Sequence, residues 1–250
     1  MVAFLSLPVF ALLFRTIPAG LIPEYVTKPI VTEALRLSLI TSFVTLVLTI
    51  ILGTPTAYLL ARREFPGKTI LETVIDLPVV LPPAVAGIAL LFAFGRRGVF
   101  GPFLTSIGIE VAFTIYAVIL AQFFVAAPYY IRTLRAGLTQ NDLEIEGAAR
   151  ICGAGSFNVF RYITLPLAMP SVIGGLVLAW AKAIGEFGAT IFFAGSFMGR
   201  TQTLPLAVYQ ALESDLNAAL VIGVILVFLS FVILAVFRCT VSRLGSDSAA

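Results

Sequence analysis

Glu146-Gly-Ala-Ala-Arg-Ile-Cys-Gly153, followed after nine residues by Ile163-Thr-Leu-Pro166, is a polar, glycine-spaced insert between two strongly apolar stretches. Those stretches, about Ala112 to Leu134 and Met169 to Ala194, reach the ~20 apolar residues that a helix needs to cross a bilayer. Sixty per cent hydrophobic residues, 12% charged residues and a mean hydropathy of +1.06 extend that character to the whole 250-residue chain. A soluble domain carries roughly a quarter of its residues as charges. The composition therefore specifies an integral membrane protein, and lipid offers no partner to an open backbone group, so the class is all-α and polytopic.

Further apolar stretches run from about Glu33 to Ala61, Ile70 to Phe94 and Leu216 to Phe237. With Val2 to Phe14 they make six expected crossings. The first is short: its thirteen residues span only ~20 Å of a ~30 Å hydrocarbon core. Continuation past Arg15 to Ile22 would lengthen it, with the arginine reaching for the interface. No basic segment precedes it, which argues against a cleaved signal peptide. With the N-terminus inside, inner loops and tail hold nine basic residues, Arg62, Arg63, Lys68, Arg132, Arg135, Arg150, Arg161, Arg238 and Arg243. The outer side then holds six, Arg15, Lys28, Arg36, Arg96, Arg97 and Arg200. Basic residues are retained on the cytoplasmic side, so both termini and the insert are expected there. A single membrane domain over 1–250, with the insert at about 138–165, is the economical organisation.

Several chemistries drop out. The chain has no histidine, and its two cysteines, Cys152 and Cys239, lack metal-ligand spacing; neither a metal site nor a cofactor is expected. On the cytoplasmic side both thiols stay reduced. A net charge of +3 without a Lys/Arg-rich block gives no footprint for nucleic acid. Gly67-Lys68-Thr69 mimics the end of a phosphate-binding loop, but the glycine required five residues upstream is Arg62, and Pro66 intervenes. No catalytic residue is assigned.

Within the insert, Asn141 or Asp142 suits a helix N-cap, Glu144 and Glu146 suit its positive end, and Gly153 suits its stop. A second short helix is expected over Ser156 to Tyr162. Ala148 and Ala149 make a small-residue patch, with Phe157 and Phe160 as aromatic anchors. A helix with such a face sits deep in a partner's cleft; an amphipathic loop lying on the bilayer is the alternative. The pattern Gly147-Ala-Ala-x3-Gly153-x9-Ile163-x-Leu165-Pro166 resembles the Glu-Ala-Ala loop of permease subunits of binding-protein-dependent ABC importers. In that family the loop forms coupling helices that dock into an ATPase subunit. This chain departs at one place: the family's glutamate position is Gly147, and Glu146 stands one residue earlier.

Two other segments carry polar groups at membrane depth. Lys182 and Glu186 stand at helical i, i+4 spacing among apolar neighbours, either as a structural ion pair or on a translocation path. Asp76-Leu-Pro78-Val-Val-Leu-Pro82-Pro83 places three prolines within six residues. They bend or unwind a helix that either lines a path or is simply kinked. These segments, with Phe94-Gly-Arg-Arg-Gly98, Gly185-Glu-Phe-Gly-Ala-Thr190 and Arg200-Thr-Gln-Thr-Leu-Pro-Leu206, resemble the molybdate permeases and their tungstate and sulfate kin. The likeness covers about Glu33 to Phe237, and the Thr-Gln-Thr-Leu-Pro-Leu stretch favours molybdate over sulfate, with a sulfate/thiosulfate ABC permease as the alternative.

The resemblance implies a type I ABC importer permease fold in the cell membrane and a homodimer of this chain. It also implies two cytoplasmic ATPase subunits docked at Glu146, Gly147, Ala148, Ala149, Gly153 and Phe157, and an extracytoplasmic molybdate- or tungstate-binding protein. Asp76, Pro82, Pro83, Lys182 and Glu186 are the path candidates. Arg96, Arg97 and Arg200, expected at the outer mouth, either draw the anion, meet acidic patches of the binding protein, or anchor at headgroups. An ion-coupled secondary transporter, with Lys182, Glu186 and Asp76 as a relay, is the alternative from another class.

Overall fold

The computed structural model describes residues 1–247, without side-chain detail at residues 2, 5 and 236–247, so the side chains of Arg238, Cys239 and Arg243 lie outside the described residues. Every regular element among the described residues is a helix. In chain order these are α1 (Val2–Thr16), α2 (Leu21–Tyr25), α3 (Pro29–Arg62), α4 (Lys68–Val80), α5 (Pro83–Phe94), α6 (Gly101–Ser106) and α7 (Ile115–Gln140). The insert follows as α8 (Leu143–Ile151), α9 (Ser156–Val159), a π turn (Phe160–Thr164) and α10 (Leu165–Leu167). The chain closes with α11 (Met169–Ile184), α12 (Gly188–Ala194), α13 (Leu204–Ser214) and α14 (Leu216–Asp247).

Among the described residues, three helices are unbroken and long and apolar enough to cross a membrane: α3, α7 and Leu216–Ala235 of α14. The stretch expected over Ile70 to Phe94 is instead a pair, α4 and α5, bent by 118°. Of its three prolines, Pro78 is buried inside α4, and the bend falls at Pro82. Pro83 excludes the helical region for the residue before it, so Pro82 sits at φ −54°, ψ 133°, and Pro83 opens α5 at the position where a missing N–H costs nothing. The stretch expected over Met169 to Ala194 also breaks, between Ile184 and Gly188, and α11 meets the limb before it at 71°. The first stretch ends at Thr16 and does not continue to Ile22: Pro18 follows, and Gly20 turns left-handed at φ 65° before α2.

The chain divides into two compact units. The first comprises Met1–Thr45, Leu81–Gln122 and Ala181–Ile233. Its core is made of small and branched residues, with Val31, Ala34, Leu204, Ala207, Ala211, Ala218, Val221 and Ile222 all buried. Ser38, Thr41, Ser42 and Thr45 place hydroxyls on one face of α3, every one with no exposure. Ser38 Oγ accepts the Leu204 N–H at 2.8 Å, and Thr45 Oγ1 donates to Gln122 Oε1 at 3.2 Å. Hydroxyls of this kind join helices where apolar packing gives no preference over lipid. The half-helices α5 and α12 meet in this unit almost backbone to backbone. A Cβ on Gly87 would stand 2.6 Å from the Ala189 carbonyl oxygen, and one on Gly188 2.4 Å from Pro83 Cβ.

The second unit comprises Leu46–Val80, Phe123–Trp180 and the chain from Leu234. Here α4 is joined to α7 by two ion pairs, Asp76 with Arg132 at 2.5 Å and Glu72 with Arg135 at 2.8 Å. The Tyr130 hydroxyl meets Thr54 Oγ1 at 2.8 Å.

The contact at Gly87 gives a direct test. Gly87→Ala should lower the melting temperature of the purified protein by the equivalent of about 1–3 kcal/mol, the range for overpacking. Gly185→Ala should leave it unchanged, because a Cβ there meets only Ala181 O at an ordinary 3.4 Å. Equal melting temperatures for the two variants would contradict the close approach of α5 and α12.

Candidate functional site

The insert is built from two limbs held by local chemistry. At its start Asp142 is extended, at ψ 120°, and its Oδ1 accepts the Glu144 N–H at 2.8 Å, so Asp142 rather than Asn141 caps α8. Asn141 instead donates from Nδ2 to the Thr164 carbonyl at 3.0 Å, tying the entrance to the exit. At the far end of α8, Gly153 adopts φ 89° and its N–H reaches the Arg150 carbonyl at 3.0 Å. The Ala154 N–H reaches the Ala149 carbonyl, also at 3.0 Å. The 5→2 and 6→1 bonds together are a Schellman stop. The second limb stays helical beyond the expected Tyr162, through the π turn into α10.

The faces of α8 differ sharply. Glu144, Ala148 and Ile151, spaced i, i+4 and i+7, are exposed, with Ile151 at 89%. Gly147 and Ala149 are half-buried, and Glu146 is 3% exposed. Glu146 pairs with Arg62 at the end of α3, and Arg150 approaches its other oxygen at 3.9 Å. Expected among the docking residues, Glu146 thus points away from the exposed face. The two aromatic anchors also separate. Phe157 is 70% exposed, whereas Phe160 packs edge-on against Tyr58 with centroids 5.1 Å apart. Ile151 was not singled out from the sequence; it completes the ridge begun by Ala148, and the i, i+3 spacing from Ala148 was the available signal.

Two of the polar groups expected at membrane depth, Glu186 and Asp76, have specific partners. The helix breaks after Ile184, between Lys182 and Glu186, and no direct ion pair joins the two among the described residues. Glu186, 3% exposed, accepts the Ala189 N–H at 2.7 Å and closes one of the open donors at the start of α12. Asp76 is taken by Arg132. Lys68, in the Gly-Lys-Thr run, pairs with Glu64 at 2.6 Å.

Arg96 and Arg200 line one cavity of about 450 Å³ in the first unit, with Phe94, Thr105, Glu110 and Thr114. Arg96 spans to Glu110 at 3.0 Å. Arg97 is exposed and is not among the lining residues. The stretch Thr201-Gln-Thr203 is a buried turn rather than a free loop, with the Thr201 hydroxyl accepting the Phe197 N–H at 3.1 Å.

A polar two-limbed insert between apolar helices, with a small-residue ridge outward and a charge pair inward, has a known setting. Residues 50–245 match the family described as binding-protein-dependent transport system inner membrane component. The chain belongs to that family. This permease is 44% identical over 211 residues to the probable transport system permease protein NifC of Clostridium pasteurianum, covering 84% of this chain and 73% of that one. It is 40% identical over 248 residues to the molybdenum transport system permease protein ModB of Mycobacterium tuberculosis, covering 99% and 93%. The probable sulfate transport system permease protein cysT of Nephroselmis olivacea is 34% identical over 238 residues, covering 94% and 84%. The fold matches the inward-facing MetNI methionine ABC transporter with a TM-score of 0.67 at 18% identity, over 85% of this permease and 95% of that chain. The type I importer permease fold that the sequence implied is therefore the fold observed.

Two glycines of the permease's insert should respond oppositely to alanine. At Gly147 a Cβ meets nothing within 4 Å, so Gly147→Ala should stabilise α8 by up to about 1 kcal/mol through helix propensity. At Gly153 the left-handed φ makes alanine cost about 1–2 kcal/mol. Amide hydrogen exchange over residues 143–154 should slow in the first variant and quicken in the second. The same change in both would contradict the cap geometry.

Proposed function

We propose that this chain is the membrane-spanning subunit of an ATP-driven importer of molybdate or tungstate. It acts as a homodimer in the cytoplasmic membrane. Two ATPase subunits grip the two inserts, and an extracytoplasmic binding protein delivers the oxyanion. The observation that carries the reading is the two-faced insert: Ala148 and Ile151 form an exposed ridge on a helix whose other side is fixed to its own chain, and Phe157 is exposed on the limb that follows. Small residues between larger apolar ones let a partner's cleft close on a helix. The excess of basic residues on the insert side supports its cytoplasmic placement, and with it both termini.

The chain works as one membrane domain through alternating access. ATP binding draws the ATPase subunits together, the inserts follow, and the path opens outward; hydrolysis resets it. The half-helices α5 and α12, opened by Pro83 and by the Glu186 cap, are the elements proposed to line that path. Broken helices at membrane depth are found where they face protein or a water-filled cavity. Arg96 and Arg200 at the cavity are proposed to meet the incoming anion or the acidic rim of its carrier. Molybdate is favoured over sulfate by the higher identity to the relative named for molybdenum and by the Thr201 to Leu206 stretch. The relay alternative is weakened, because Glu186 is engaged with backbone and Asp76 with Arg132.

Uptake in proteoliposomes holding the whole assembly tests this reading. Labelled molybdate should accumulate only with ATP and the ATPase subunits, with unlabelled molybdate and tungstate competing and sulfate failing to compete. Ala148→Trp should reduce stimulated ATP hydrolysis by about tenfold or more, as loss of a buried interface centre does, while the permease remains folded. Accumulation by the chain alone, driven by an ion gradient, would contradict the reading, and efficient competition by sulfate would reassign the cargo.

A further inference from the structure

We infer that Arg62 and Glu146 are a positioning pair that makes the insert move as one body with α3. The inference rests on the permease reading above and adds the part of the chain to which the ATPase's motion is delivered. The family resemblance assigns the acidic residue of this loop to docking. Here the carboxylate stands one residue earlier, which turns it about 100° around a helix of 3.6 residues per turn. It faces inward. The Glu146 side chain is 4% exposed and that of Arg62 10%, so both charges have left water for each other. A buried pair of this kind tolerates the loss of neither member, because the survivor is left uncompensated.

Each charge also stands where its helix favours it. Arg62 ends α3, whose carbonyl end attracts a cation, and Glu146 lies in the first turns of α8, whose N–H end attracts an anion. One turn before Arg62 on the same face of α3, Tyr58 holds Phe160 of the second limb edge-on. The two limbs are thus gripped by two residues spaced i, i+4 on one helix. The exposed ridge of Ala148 and Ile151 is left clear for the partner. Force applied to that ridge passes through the pair into α3, and from there into the membrane. Glu146 is a positioning residue, not a docking one.

Spin labels at Leu59→Cys and Ile145→Cys, both exposed positions and neither on the ridge, read the rigidity directly once Cys152 and Cys239 are changed to Ser. In complexes assembled from one labelled and one unlabelled copy of the chain, the label distance should be single and equal in nucleotide-free and ATP-bound states. Glu146→Gln or Arg62→Gln should broaden it. Each variant should retain its ATPase subunits through purification and still stimulate hydrolysis, while molybdate uptake per ATP falls about tenfold or more, as removal of one partner of a buried ion pair does. The double variant should be no worse than either single one, as for residues acting as a unit. Should both Gln variants fail to reach the membrane, Arg62→Lys keeps the charge but loses the planar fork, and the same broadening and uncoupling are expected of it. An unbroadened distance, effects that multiply in the double variant, or loss of ATPase subunits from Glu146→Gln would overturn the inference. Wild-type protein that never retains ATPase subunits would overturn the permease reading instead.

Discussion

A backbone group left open in hydrocarbon has nothing to bond to, and that constraint decides where this chain is allowed to be irregular. Two of its apolar stretches are broken, at Pro82 and between Ile184 and Gly188, and each break is closed by a specific device. Pro83 begins α5 with a residue that has no N–H to satisfy. Glu186 supplies a carboxylate to the N–H of Ala189 where α12 begins. The half-helices these breaks create then pack through Gly87 and Gly188, closer than any side chain would permit. In a soluble protein water would have done this work. Here the chain does it, with the buried Glu186 carboxylate used as a cap.

The same economy governs the other charges. Asp76 and Glu72 of α4 reach Arg132 and Arg135 of α7, and Glu146 reaches Arg62. What remains outward on α8 includes the ridge of Ala148 and Ile151, one turn beyond Glu144. A helix fixed on one side by ions and exposing an apolar ridge on the other is suited to being held by something else. That asymmetry links the fold to the proposed coupling role more strongly than the motif spacing does.

Much of this was legible in the sequence, and the limits have physical causes. Apolar runs fixed the class, because hydrocarbon admits few architectures. Local signals also held: Asp142 as a cap, Gly153 as a stop, and a bend among the three prolines all depend on neighbours within a few residues. The break after Ile184 carried no proline, so Lys182 and Glu186 read as a helical pair although the helix ends between them. The direction of Glu146 was not legible, since its partner Arg62 lies 84 residues away in the chain. Phe157 and Phe160 read alike for a similar reason; only Tyr58, on another helix, separates them.

The central claim is that a separate motor holds this chain by the insert, and a native thiol reports on it. Cys152 is exposed at the end of α8, beside Ile151. With Cys239 replaced by Ser, its rate of reaction with a membrane-impermeant maleimide should be measured in inside-out vesicles before and after the ATPase subunits assemble. The account predicts rapid labelling of the chain alone and strong protection in the complex. Labelling at the same rate in both would contradict it.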